Sequence, residues 1–356
     1  MDKRVRSSHS RRSSEGRRLT GRLTLLLAAG LAVLMLCPAF AGAGGPPQHR
    51  GVDAWLNGVD VVGAWGWSAG SGGLVVHWSL DGGTRDVWSL GISDDIQAID
   101  MATAAVGYVV TAGKGTSKAA VFKTSDGGRH WTRKLRTAVD VLAAVKFRTT
   151  SLGWVAGRGG TVLKTTNGGK TWARQKTKTT ETLYSLSFPS DKVGYAVGSG
   201  GAILKTVNAG KTWSKQAGGT TEALYGVDFV NTTAGWAVGG DAAGVCLNTT
   251  DGGKTWKPQG SDLPPLAAVD FADATTGWVL GNEGAWPDFN GKIIKVTAGG
   301  GTWTDQSTKV DPSPPDYALI ALHVVDARHA YAEGESEASL YTDDGELWHR
   351  AHIASP

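Results

Sequence analysis

Residues 165–172 read Thr165-Thr-Asn167-Gly-Gly169-Lys-Thr171-Trp172, and residues 249–256 repeat the phrase as Thr249-Thr-Asp251-Gly-Gly253-Lys-Thr255-Trp256. Thr124 to Trp131 and Thr206 to Trp213 are close copies. Worn copies run from Ser79 to Trp88 (two residues longer), Val296 to Trp303 (Ala298 in the acidic position) and Thr342 to Trp348 (one shorter). The closing tryptophans, Trp88, Trp131, Trp172, Trp213, Trp256, Trp303 and Trp348, are 43, 41, 41, 43, 47 and 45 residues apart. A period above about 40 residues with strand-like content marks a propeller-type array.

A second signal repeats in step. The pairs Gly66-Trp67, Gly107-Tyr108, Gly153-Trp154, Gly194-Tyr195, Gly235-Trp236 and Gly277-Trp278, with Ala330-Tyr331 as the seventh, set an aromatic 17 to 25 residues before each closing Trp. Within one unit, Leu183 to Phe188 alternates as a strand. Pro189 to Lys192 turns, Gly194 to Val197 is a second strand, and Gly198 to Gly201 turns again. Ala202 to Thr206 and Trp213 to Gln216 complete four short antiparallel strands. Seven such units predict an all-β, seven-bladed β-propeller running from residue 51 to 356. Its first strand is expected at Trp55 to Val61 and its last at Trp348 to Ile353. In each box Asp81, Asp126, Asn167, Asn208 or Asp251 should accept N–H groups of its own turn, Gly should supply positive φ, and Trp should bury apolar area between blades.

What precedes the repeats reads differently. Residues 1–22 carry eight Lys or Arg against two acids, Leu23 to Leu36 is apolar, and Ala39-Phe40-Ala41 ends the run. Basic, apolar, small is the order of an export signal, expected over residues 1–41 with a linker at 42–50. Cleavage after it is expected, an uncleaved anchor being the alternative. The chain's net charge of +4 lies mostly in that leader, and the remainder is close to −2, which speaks against a nucleic acid partner. Of the two cysteines, Cys37 leaves with the leader, and Cys246 falls on a strand position held by Val121, Val162 and Ile203 in other units, which reads as a small buried hydrophobe. The 51 glycines, about twice the usual share, follow no collagen-like period.

The T-x-[DN]-x-G-x-T-W copies resemble the Asp-box, or BNR repeat. The wider pattern, as in Gly235-Trp-Ala-Val-Gly239 and Ile203 to Trp213, resembles the photosystem II stability/assembly factor family over residues 51–356. That resemblance implies an exported, non-enzymatic propeller that binds membrane-protein precursors. Asp-boxes also occur in sialidases, xyloglucan-degrading enzymes and sortilin-type receptors, so a sialidase-like or other glycoside hydrolase is the alternative. A sialidase needs an arginine cluster for its substrate's carboxylate. Residues 51–113 hold one Arg, Arg85, and no Arg-x-Pro occurs. A paired-carboxylate glycosidase would draw on Glu283 and Asp288 in the sixth unit's insertion. The scattered histidines and the absence of His-Glu-x-x-His or Cys-x-x-Cys predict no metal, and no cofactor is expected.

Charge is uneven around the ring. Residues 114–215 hold 19 Lys or Arg against four acids, whereas residues 216–356 hold 7 against 19 and residues 42–113 hold 2 against 7. With four up-and-down strands, the turns between second and third strands share one end with the connections between blades, and the boxes lie at the other. Lys114, Lys118 and Arg158 fall in the former turns, and Arg136, Lys176 and Lys178 in the connections. All six should converge on the box-free face as a docking site for an anionic protein partner. Trp286 and Phe289, in the longest second-to-third turn, should add an aromatic contact there. The propeller is expected to be monomeric and its partner a protein, such as a membrane protein or its precursor.

Overall fold

The computed structural model describes residues 54–81, 84–284, 289–311, 314–335 and 338–350. The expected leader and linker lie outside them. Seven antiparallel sheets follow one another, each with its strands in sequence order: blade 1 from Leu56 to Ser89, blade 2 from Asp95 to Arg136, blade 3 from Leu142 to Arg174, blade 4 from Leu183 to Lys215, blade 5 from Leu224 to Pro258, blade 6 from Leu266 to Asp305 and blade 7 from Leu319 to Arg350. First strands pack in a closed circuit, each against that of the next blade and the seventh against the first. The seven-bladed reading therefore holds. The opening strand is Leu56–Val62, one residue later than expected, and the closing strand is Trp348–Arg350, with residues 351–353 outside the description. One strand was not foreseen. Val310–Asp311, in the long connection from blade 6, pairs parallel with Trp348 and His349 as a fifth strand of blade 7.

The boxes fold as their chemistry requires. Thr165 Oγ1 accepts the N–H groups of Asn167 (3.3 Å) and Gly169 (2.9 Å), and Asn167 Oδ1 accepts that of Thr171 (2.9 Å). The arrangement recurs at Asp126, Asn208 and Asp251. Asp81 accepts from the Ser79 hydroxyl, so the worn first box keeps its opening.

Between blades the repeated aromatics form triads. The second-strand aromatic of one blade stacks on a Phe at the end of the next blade's first strand, and that blade's box Trp meets the Phe edge-on. Tyr108 lies 3.5 Å from Phe147, whose edge partner is Trp172. Trp154, Phe188 and Trp213 repeat this, as do Tyr195, Phe229 and Trp256. Such pairs add about 0.5–1.5 kcal/mol each beyond their buried area. The Phe of the triad also explains the glycine of the Gly-aromatic pair in blades 3 to 6. A Cβ on Gly153, Gly194 or Gly235 would lie 2.5, 2.3 or 2.5 Å from the Phe ring. Lys123, Lys164, Lys205 and Lys295 lie over the aromatics at 5.2–5.6 Å, and three of them donate to a carbonyl in the next blade's box turn.

The ring closes differently. Blade 7 is built entirely from the end of the chain and blade 1 from its start, with no strand shared between them. Val59 and Val61 pack on Ala321 and Tyr331, Trp78 lies 4.8 Å from Tyr331, and the Ser68 hydroxyl donates to Glu333 at 2.8 Å. Trp88, displaced by the two extra residues of its box, turns to the other side of blade 1. There it stacks on His77 at 5.0 Å and joins Trp67, Met101 and Trp131 between blades 1 and 2.

Candidate functional site

Strand order puts all six basic residues at the sheet ends opposite the box turns. Ala119 O accepts the Thr137 amide (2.8 Å), which holds the Lys118 turn beside the connection that starts at Arg136. Thr177 Oγ1 donates to Gly160 O (2.7 Å) and the Gly160 amide donates to Glu181 O (2.8 Å), which ties the Arg158 turn to the connection bearing Lys176 and Lys178. Their roles separate, however. Arg158 is paired with Asp140 at 2.6 Å and Lys114 with Asp95 at 3.0 Å. Lys118, Arg136, Lys176 and Lys178 are exposed and make no ion pair among the described residues. Lys178 holds φ 59°, in the left-handed region.

The structure also redistributes the rest of the basic segment. Lys123, Lys164 and Lys205 are committed to the aromatics and to neighbouring box turns at the opposite end. Arg129, Lys170 and Lys211 sit in the box turns themselves, and Lys146 faces the central channel. The excess counted in sequence thus overstates the charge on the box-free face, because much of it is structural. The expected aromatic contact changes too. Trp286 lies outside the described residues, and Phe289 is 5% exposed, its ring folded into the protein instead of offered to a partner. Of the paired acids considered for hydrolysis, Glu283 is held by Lys292 at 3.3 Å and Asp288 lies outside the description. Cys246 is buried as expected, and burial pushes its thiol up to about 12.

A second constellation was not anticipated. At one shared position of each first strand stand Asp60, Asp100, Lys146, Ser187, Asp228, Asp270 and His323, and together they ring the central channel. A first strand is a sheet edge, so its channel-side N–H groups need acceptors. The ring supplies them across blades. Asp60 accepts from the Met101 amide (2.5 Å), Asp100 from Phe147 (2.8 Å), Ser187 from Phe229 (3.1 Å), Asp228 from Phe271 (3.2 Å) and Asp270 from Val324 (2.6 Å). Lys146 pairs with Asp100 at 2.7 Å, and Asp100 and Asp60 together raise its pKa. Enclosure by protein pushes Asp228 up to about 6 and, with the repulsion of Asp228 added, raises Asp270 well above the carboxylate range. Burial and then Lys146 bring His323 down to about 4, so it is neutral at pH 7. Among the described residues no three His, Cys, Asp or Glu side chains are arranged to hold a metal. A signal was present: the ring residue stands seven positions before the Gly-aromatic pair in six units and six before it in the first. Because its identity varies, the position does not read as a motif.

Comparison with known proteins places these features. The family described as photosynthesis system II assembly factor YCF48 matches residues 133–218. No curated protein sequence matches the chain. A solved structure of YCF48 bound to D1 peptide is similar to this chain with TM-score 0.64 and 14% identity, over 84% of this chain and 95% of that one. YCF48 from Cyanidioschyzon merolae gives 0.64 and 17%, over 83% and 97%. A GH74 enzyme from Niastella koreensis gives 0.67 and 14%, over 85% of this chain but only 54% of its own length. At these identities the likenesses establish the shared propeller fold.

Proposed function

We propose that this chain is an exported, non-catalytic binding propeller of the assembly-factor type, which docks an acidic segment of a membrane protein or its precursor on the box-free face of blades 2 to 4. The observation that carries the reading is the set of four exposed cations, Lys118, Arg136, Lys176 and Lys178, at the box-free end of blades 2 and 3 and spent on no ion pair among the described residues. Two findings support it. The matched family segment, residues 133–218, contains three of the four, and one structural relative carries a peptide of a protein partner. Lys114 and Arg158, already paired, hold the surrounding turns and add less charge. The basic-apolar-small leader supports export.

Steering by exposed charge raises on-rate more than affinity and fades with salt, the Debye length being about 8 Å at 0.15 M. The structure places Arg136 at the end of the strand Thr132–Arg136, opposite Ala120, not in the connection expected from sequence, but its side chain is exposed like those of Lys176 and Lys178, so the triple variant Arg136→Glu, Lys176→Glu, Lys178→Glu should leave the unfolding midpoint in place. Its capture of partners from a membrane extract of the native host should collapse at low salt. Capture equal to the parent's, with the same salt dependence, would sink the assignment.

A further inference from the structure

Two blades take an extra parallel segment at their outer edge. In blade 7, Val310–Asp311 runs parallel to Trp348 and His349. In blade 4, Lys176 forms a parallel bridge with Thr212, and its carbonyl accepts the Trp213 amide at 3.2 Å. Both additions sit at the closing Trp, and both come from the connection that leads into the blade. Those connections have the length to reach it: eight residues separate Arg174 from Leu183, and thirteen separate Asp305 from Leu319. The outer edge of a blade is thus a seat for a parallel strand in this protein.

In blade 2 the seat is open. Its outer strand, Thr132–Arg136, has five residues, whereas those of blades 3, 4 and 5 have two. Only five residues separate Ser89 from Asp95, and they stay at the box-free end, where the Leu90 amide donates to Gly73 O (2.9 Å) and Asp94 accepts the Lys114 amide (2.9 Å). Among the described residues no strand lies outside Thr132–Arg136, and the Trp131 amide, the counterpart of Trp213's, has no acceptor. Arg133, Lys134 and Arg136 are exposed and enter no ion pair among those residues. Lys134, third after the closing Trp, stands where blades 3 to 6 carry Gln175, Gln216, Gln259 and Gln306. Burial, and then Lys134 and Lys170, lower the pKa of Lys123 on the adjoining strand, so the surroundings are positive as well.

We propose that the outer edge of blade 2 is a strand-addition site, at which an extended acidic segment of a partner protein pairs in parallel with residues 131–136 as a fifth strand. Backbone hydrogen bonds along a sheet edge supply affinity in this mode, and side chains supply the choice of partner. Cations and a bulge guard an edge strand against neutral neighbours, and the same cations favour an acidic one, since opposite charges across a strand pair attract. The bulge leaves the seat usable: its extra residue, Lys134, comes after Trp131 and Thr132, the counterparts of the paired residues in blade 7. The site lies on the rim and shares only Arg136 with the box-free set, so it does not rest on that reading.

The test titrates ¹⁵N-labelled protein with an acetylated, amidated hexapeptide of alternating Glu and Val, and follows amide shifts and hydrogen exchange. Saturable shifts centred on residues 131–136 are expected, with slowed exchange there. Alternate peptide amides face opposite edges, so N-methylating one alternate set should abolish binding and N-methylating the other should not. The double variant Arg133→Glu, Lys134→Glu alters exposed side chains only and should bind about tenfold more weakly, the scale of two cross-strand charge pairs turned from attraction to repulsion. Lys118→Glu, Lys176→Glu, Lys178→Glu should bind as the parent does; loss there would put the peptide on the box-free face and overturn the proposal. So would the absence of a saturable shift, indifference to both N-methylated peptides, a double variant that binds like the parent, or slow exchange at residues 131–136 before any peptide is added, which would mean that the chain itself covers the edge.

Discussion

The channel ring makes a prediction that runs against the usual expectation for deleting a hydrogen-bonded carboxylate. Asp228 has an ordinary pKa of 3.8 that enclosure raises to about 6, with Asp270 coupled beside it. A carboxyl whose folded pKa exceeds its unfolded one holds its proton more tightly in the fold. Its contribution to stability is therefore complete below pH 4 and is lost as the pH climbs through about 6. A shift of about two units at about 1.4 kcal/mol each sets an upper limit near 3 kcal/mol for what the charged Asp228 costs above pH 6. Asp228→Asn removes the charge and keeps an oxygen to accept the Phe271 amide. Its amide also gives Asp270 a donor in place of a repelling neighbour. The variant should gain about 1–3 kcal/mol over the parent at pH 7.5 and about nothing at pH 4, read as urea unfolding free energies across that range. A gain of equal size at both pH values would mean that the charge is not its cause. A loss at pH 7.5 would mean that Asp228 is ionised and stabilising, and the account of the ring would fall.

The triad and the box give two more tests. Phe229→Ala empties the place between Tyr195 and Trp256, where the ring is 4% exposed, and should cost about 3–5 kcal/mol in the same unfolding assay; a cost below 1 kcal/mol would show that the blades are held by something else. Ala209 sits at φ 59° in a box position that is Gly168 or Gly252 in neighbouring blades, so Ala209→Gly should stabilise by about 0.5–1 kcal/mol, and a destabilised variant would show that its methyl contact outweighs the backbone strain.

Why some of this was legible in sequence and some was not follows from what each residue answers to. Box residues answer to their own turn: Thr165, Asn167 and Gly169 satisfy one another within a few positions, so the same letters recur wherever the turn recurs. Blade number and strand order were legible for that reason. In blades 3 to 6 the Gly of the Gly-aromatic pair answers to a Phe a few residues earlier in its own blade, and it too repeats. The box-free face was half legible. Topology placed all six basic residues, but ion pairing with Asp140 and Asp95 and the commitment of Lys123, Lys164 and Lys205 to aromatic faces are contacts between segments, which a charge count cannot sort.

The channel ring and the seam lie at the far end of this scale. Each ring position asks only for a polar group that suits the next blade's amide and the charges across the channel, so Asp, Ser, Lys and His all serve, and identity carries no periodic signal. The seam inverts the logic of the repeat: Glu333, Ser339 and Ser68 are informative because they break the pattern at positions where the other blades keep it. In a repeat protein every blade interface faces the same packing problem, so a coordinated departure at one interface cannot be ascribed to the demands of the fold as a whole. Closure is the demand peculiar to this interface, since it joins the first blade to the last with no shared strand. The Ser68–Glu333 hydrogen bond spans the seam where blade 7 meets blade 1, as a closing latch would.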